Sequence, residues 1–174
     1  MKITPPTTAA SVDIFVSYIS THWLSKIPVP LPGPSVFCHD PECQANVSLN
    51  VLDAWRRVAH EDLVGFLRLR GTELVDHGAL CMTFASNNGD LDVLEYFSVV
   101  NGGLRDMVAM GALSSGSLDR IEVSSVLRTT EEFMEAAAEV RELELHEFQH
   151  VTLDFNFDNA SGAVDFFASV LIPS

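Results

Sequence analysis

The stretch that decides the fold is Ser11 to Pro28, with the sequence SVDIFVSYISTHWLSKIP. An apolar run, Val12 to Val16, leads into a polar turn that carries His22 and Trp23. A short apolar run that ends in turn residues is typical of a buried β-strand that delivers polar groups at its C-terminal end. In open α/β sheets, ligands bind beyond the C-terminal ends of the strands. The pattern therefore predicts a strand over 12–18, followed by a binding turn.

The next part of the chain alternates helical and strand patterns. Apolar residues recur at three- and four-residue steps over 48–75, which predicts a helix that His77-Gly78 ends. The run 79–85 predicts a second buried strand. Helical spacing returns over 91–112, where Gly102-Gly103 is expected to break or kink the helix. Alternation of this kind predicts an α/β fold with parallel strands.

Prolines and polar residues mark the remaining connections. Five prolines between residues 28 and 46 predict a long loop without regular helix. Thr129 or Thr130 is a good N-cap for a short helix that runs to about Val140. Strand patterns follow within 143–157 and 164–172, and the short connection between them predicts a C-terminal antiparallel hairpin.

Composition limits the possible functions. The chain has 174 residues, of which 47% are hydrophobic and 20% charged, and this indicates one globular domain over 12–174 after a disordered lead, 1–11. The net charge of -14 argues against binding to nucleic acid or to an anionic membrane surface, because both need clustered Lys and Arg. No signal-peptide pattern opens the chain, and no apolar run has the length of a membrane span. We therefore expect a cytoplasmic protein.

Several motifs occur in the order found in one known family. The segment His22-Trp23-Leu24-Ser25 follows a strand, and 55–78 contains Asp62, Phe66-Leu67, Arg70 and Glu73-Leu74 in matching positions. Leu80 to Phe84, Leu104 to Gly111 and Glu131-Glu132 continue the match. Together they resemble the SABATH family, the S-adenosylmethionine-dependent carboxyl methyltransferases of the salicylate and jasmonate type. The resemblance covers residues 11–157 and corresponds to the C-terminal half of a family member.

The resemblance implies a fold and a function. The fold would be a partial class I methyltransferase (Rossmann-like) sheet with the C-terminal hairpin, lacking the N-terminal cofactor-binding strands. The cofactor would be S-adenosyl-L-methionine, although no glycine-rich turn for it is found in this chain. The substrate would be a small-molecule carboxylic acid, held by the ring N–H groups of His22 and Trp23. The pocket tyrosine of the family falls at Ile19, beside Tyr18, so these two positions complete the expected substrate site.

Other readings of the same residues stay open. Trp23 could be a core aromatic and His22 a satisfied turn residue. The protein could be an inactive partner of a separate cofactor-binding half, a cofactor-independent protein that binds or isomerises small acids, a non-catalytic subunit, or a truncated gene model. Cys38 to Cys43 resembles half of a metal knuckle, and His146 and His150 would share one face of a strand, but we expect no metal site, because a zinc site usually needs a second ligand pair.

The first strand also predicts an interaction. In the family the strand order would be 4-5-7-6, with strand 12–18 outermost and its neighbour missing. An unpaired apolar edge recruits further strands. We therefore expect a homodimer or a heteromer that forms through the edge of 12–18.

Overall fold

The computed structural model describes residues 10–33, 35–87, 91–152 and 162. The chain divides into two compact units, Met1–Glu144 and Leu145–Ser174, and every helix and strand below belongs to the first. Within the described part, no helix is both long enough and apolar enough to cross a membrane. The expectation of a single domain stays a prediction.

Two parallel strands form the sheet, as the alternation of elements predicts. Strand β1 spans Val12–Tyr18 and strand β2 spans Leu74–Thr83. Their register is regular from Ile14 opposite Ala79 to Tyr18 opposite Thr83, and it shifts before that point. The shift lies where β2 bulges over residues 75–78. This bulge was missed from the sequence, which placed the start of the strand at Ala79.

The bulge explains why the predicted end of the preceding helix was wrong. The helix ends at Glu73 because Leu74 is already extended, and its N–H bonds to the carbonyl of Arg70. The residue with positive φ is His77, at 67°, and not the neighbouring Gly78. Gly78 serves a different purpose, since β1 passes very close to it.

We expect Gly78→Ala to destabilise the sheet by about 1–3 kcal/mol, because a Cβ there would overpack the bulge. That atom would lie 2.9 Å from the carbonyl oxygen of Val75 and 3.1 Å from that of Asp13. Gly65 is the matched control, because it is exposed in mid-helix and a Cβ there meets nothing within 4 Å. Gly65→Ala should raise stability by about 0.5–1 kcal/mol. Urea denaturation of both variants tests this, and equal effects would contradict it.

The long helix organises the core, as its periodicity predicts. Helix α2 spans Leu49–Glu73 and contacts β2 and helix α5, which spans Thr130–Ala138. Trp55 of α2 is fully buried, and its indole N–H donates to the carbonyl of Val29 at 3.1 Å. The cluster around Trp55 consists of Leu24, Leu31, Cys38, Cys43, Val58, Ala59 and Val126.

The proline-rich segment 28–46 is part of the core, whereas the sequence predicted a loop without helix. It contains helix α1, Pro41–Asn46, preceded by the N-cap Asp40, whose carboxylate accepts from the Cys43 N–H at 3.3 Å. Pro41 fits because it occupies the first turn, where a helix needs no N–H from that residue. Val36 and Phe37 extend the core into a second cluster with Phe97, Leu118 and Leu127.

The later helices follow the sequence with two differences. Helix α3 spans Leu91–Ala109 and continues through Gly102-Gly103, so the helix does not break there, and a kink at these glycines stays a prediction. A short helix α4, Ser115–Leu118, follows in a segment for which the sequence patterns above predict no helix. Thr129 is the N-cap of α5, as predicted, and forms a capping box with Glu132.

The predicted hairpin is not seen in the part of the chain that the structure describes. Residues 143–152 carry no strand, so His146 and His150 do not share a strand face, and the described sheet is wholly parallel. The second predicted strand, 164–172, lies outside the described residues.

Strand β1 is an exposed edge and not a buried strand. Ile14, Val16 and Tyr18 are 66%, 71% and 70% exposed on one face of the sheet. The described residues provide no second strand for β1, whose other side pairs with β2.

Candidate functional site

The turn that follows β1 begins with a strained residue. Ile19 has φ of 42°, in the left-handed region that β-branched residues rarely adopt. The Ile19 N–H still donates to the carbonyl of Thr83 at 2.9 Å, directly after the end of β1. The chain then turns through Ser20–Trp23, with the Trp23 N–H donating to the carbonyl of Ser20 at 3.3 Å. Strain of this kind is common at functional sites.

A second segment, 121–128, pairs with the backbone of this turn. The Val126 N–H donates to the carbonyl of His22 at 2.8 Å, and the Leu24 N–H donates to the carbonyl of Ser124 at 2.7 Å. Trp23 and Ser125 form an isolated antiparallel bridge between these bonds. The positions of His22 and Trp23 are therefore fixed by backbone pairing with 121–128.

Two charged side chains also hold the turn. Arg128 is 3% exposed, and its guanidinium donates to the carbonyl of Thr21 and, from Nε at 3.1 Å, to the carbonyl of Ala59 in α2. The carboxylate of Asp62, one turn further along α2, accepts from the N–H and hydroxyl of Ser25 at 2.7 and 2.8 Å. The turn is thus anchored to the long helix at both of its ends.

His22 and Trp23 lie together in this turn. Their ring centroids are 4.7 Å apart, and His22 is only 8% exposed. The Nδ1 atom of His22 is buried and has no hydrogen-bond partner among the described residues. Burial, and secondarily the positive charge of Arg128, lowers the pKa of His22 to about 4. The imidazole is therefore neutral at pH 7 and keeps one donor nitrogen and one acceptor nitrogen.

Tyr18 and Ile19 are placed differently from the pair. Tyr18 lines a cavity of about 250 Å³ with Phe15, Phe66, Arg70 and other residues, but neither His22 nor Trp23 lines it. Ile19 takes part through its backbone, by setting the direction of the turn. That Tyr18 and Ile19 contact a substrate stays a prediction.

The residues of the metal-knuckle pattern lie in the core. Cys38 and Cys43 are buried, and burial raises the pKa of the Cys38 thiol to about 12, so it stays protonated. The Nε2 atom of His39 accepts from the Leu127 N–H at 2.8 Å. Across the described residues, no group of three or more His, Cys, Asp or Glu side chains could hold a metal ion.

Sequence reasoning missed Arg128 and the role of segment 121–128. Arg128 stands alone after Val126-Leu127 and directly before the N-cap Thr129. The available signal was a single Arg between an apolar pair and the start of a helix. An Arg buried at such a position needs acceptors for its N–H groups, so it indicates contacts with distant carbonyls.

Comparison with known proteins identifies the family. A family model described as SAM dependent carboxyl methyltransferase matches residues 7–169. The chain belongs to this family. The SABATH resemblance found in the sequence is thereby confirmed.

Individual family members agree with this assignment. The chain is 28% identical over 152 residues to the salicylate/benzoate carboxyl methyltransferase of Arabidopsis thaliana, covering 79% of this chain and 38% of that protein. It is 31% identical over 137 residues to the O-methyltransferase acrG of Aspergillus aculeatus, covering 74% and 34%. The solved structure of loganic acid methyltransferase with SAH shares the fold, with a TM-score of 0.58 at 18% identity, over 75% of this chain and 39% of that one.

The chain therefore spans less than two fifths of the length of these three methyltransferases. The turn that follows β1 contains no glycine, and Gly102-Gly103 is helical. We therefore assign the family's cofactor to no residue of this chain.

Proposed function

We propose that this chain provides the acid-binding part of a SABATH-type carboxyl methyltransferase, with His22 and Trp23 holding the carboxylate of a small molecule. The observation that carries the proposal is the buried Nδ1 of His22, which has no partner among the described residues. A buried polar atom left unpaired costs about 1–3 kcal/mol, and a ligand oxygen would remove that cost. The adjacent indole of Trp23 supplies a second N–H donor.

Two neutral donors suit methyl transfer to an acid. A carboxylate is already a nucleophile, so it needs orientation and not a strong base. Neutral N–H groups hold its oxygens without cancelling their charge, whereas a protonated histidine would reduce their nucleophilicity. The low pKa of His22, caused by burial and by Arg128, keeps the ring neutral at the pH where the acid is ionised.

Titration with benzoate and benzamide tests the proposal directly. These two ligands have the same ring, but only benzoate carries the anion that the two donors would hold. We expect benzoate to bind and to shift the ring signals of His22 and Trp23 in NMR spectra, while benzamide binds at least about tenfold more weakly. Equal binding of the two ligands, or no binding of benzoate, would refute the acid site.

The two tryptophans make a matched pair of variants. Trp23→Phe keeps an aromatic side chain but removes the indole N–H, so we expect benzoate to bind about tenfold or more weakly, since a hydrogen bond to a charged group contributes about 1.5–3 kcal/mol. The urea midpoint should stay unchanged. Trp55→Phe should do the opposite, because the Trp55 N–H donates within the core to Val29. If Trp23→Phe lowers the midpoint and leaves affinity per folded molecule unchanged, then Trp23 is a core residue.

A second candidate is an acid-binding protein that transfers no methyl group. The turn after β1, which carries His22 and Trp23 but no glycine, favours it. An assay with S-adenosylmethionine carrying a labelled methyl group distinguishes the two functions. Methyl benzoate formed in this assay shows that the chain itself transfers methyl, whereas benzoate binding without product shows that the chain alone acts as an acid-binding protein.

A further inference from the structure

We propose that Arg128 is the positioning residue of the acid site, holding His22 and Trp23 in the orientation that lets both ring N–H groups face one carboxylate. This inference rests on the proposed function. Arg128 would not touch the ligand. It would act through the backbone of the turn, and no sequence motif pointed to it.

The contacts of Arg128 place it between three parts of the fold. Arg128 is the last residue of segment 121–128, and its guanidinium donates to the carbonyl of Thr21, the residue directly before His22. Two other nitrogens donate to the carbonyl of Ala59 in α2. Because α2 contributes Trp55, Val58 and Ala59 to the core cluster, the fork ties the turn to the helix around which the core packs.

The chemistry of these contacts requires a guanidinium. Its planar fork carries five N–H donors, so one side chain can serve two carbonyls that point from different directions. A lysine ammonium has three donors on a single atom and a shorter reach. Burying a cation is costly unless its donors are paired, and Arg128 is 3% exposed. The presence of an arginine at this buried position is therefore better explained by the geometry of its hydrogen bonds than by a need for surface charge.

The charge of Arg128 acts in the same direction as its geometry. Asp62 and Glu132 are the acidic groups that favour its charged form against the effect of burial. The resulting positive charge disfavours protonation of His22. Arg128 would therefore both hold the turn in place and keep its histidine a neutral donor.

The experiment compares Arg128→Lys and Arg128→Met with the control Arg68→Met. Arg68 lies on α2, the helix that Arg128 contacts, but the Arg68 side chain is 54% exposed. The readouts are the urea midpoint, the ring signals of His22 and Trp23, and the affinities for benzoate and benzamide. We expect Arg128→Lys to fold, to move both ring signals and to weaken benzoate binding about tenfold, with a smaller change for benzamide. Arg128→Met should weaken benzoate binding further, and Arg68→Met should change none of these.

Each outcome decides a separate question. If Arg128→Lys binds benzoate like the wild type and leaves both rings unmoved, the fork is not needed and the inference is wrong. If Arg128→Met does not fold, Arg128→Lys still decides the matter. If the wild-type chain does not bind benzoate, the proposed function fails. The ring signals then still show whether Arg128, and not Arg68, positions the turn.

Discussion

The protein is expected to lose several kcal/mol of folding free energy between pH 6.5 and pH 4, because two buried histidines must take up protons when it unfolds. The pKa of His22 is lowered to about 4 by burial and Arg128, and that of His39 to about 4 by burial and Arg56. In the unfolded chain both return to about 6.5. The unfolded state then binds more protons between the two values, so stability is complete above pH 6.5 and falls as the pH approaches 4.

The size of this effect is roughly 2–3 kcal/mol for each histidine, since one pKa unit corresponds to about 1.4 kcal/mol. Urea denaturation at pH 7 and at pH 4.5 measures it. Because carboxylates titrate in the same range, the decisive quantity is the pH slope of His22→Gln and His39→Gln relative to the wild type. Both variants should flatten the slope, whereas His146→Gln, at an exposed position, should not. An unchanged slope in the first two would contradict the burial of neutral imidazoles.

We further propose that two copies of the chain associate through the outer edge of β1. Antiparallel pairing centred on Phe15 places Ile14 opposite Val16 of the second copy and Asp13 opposite Ser17. No like charges then face each other, and the exposed apolar residues of the two strands form one continuous face. A two-fold axis through the pair gives each copy the strand neighbour that it lacks among the described residues.

Sedimentation velocity at increasing protein concentration tests this association. Val16→Lys places a charge on the paired edge, and we expect it to raise the dimer dissociation constant by at least about a hundredfold, since edge lysines block strand addition. Val99→Lys is the control, because Val99 is a similarly exposed valine, 65% accessible, on α3. A monomer at every concentration, or equal effects of both substitutions, would remove the dimer.

Local signals predicted much of this fold. The apolar run at 12–16 predicted β1 with its correct bounds, and the periodicity over 48–75 predicted α2 to within two residues at each end. The N-cap Thr129 marked the start of α5, and the His22-Trp23 pair led to the right family. Each of these features depends on residues that are close together in the sequence, so a local pattern is enough to predict it.

The errors arose where tertiary contacts decide. At the bulge His77 takes a positive φ and β1 passes against Gly78, a long-range contact that no local pattern reveals. The proline-rich segment was predicted as a loop, yet it supplies core residues because Trp55 and Phe97 offer it apolar partners. Arg128 contacts a residue 107 positions away in the sequence, so its role could not be derived from spacing.

The left-handed conformation of Ile19 has a consequence for evolution in the laboratory. A β-branched residue in this region costs about 1–3 kcal/mol, and glycine would be free of that cost. Selection for thermal stability alone would therefore favour the replacement of Ile19 by glycine in an early round. The same replacement would let the chain leave β1 in other directions and loosen the turn that carries His22 and Trp23. Stability and acid binding are opposed at this one position, so a library screened for heat resistance should be screened for ligand binding as well.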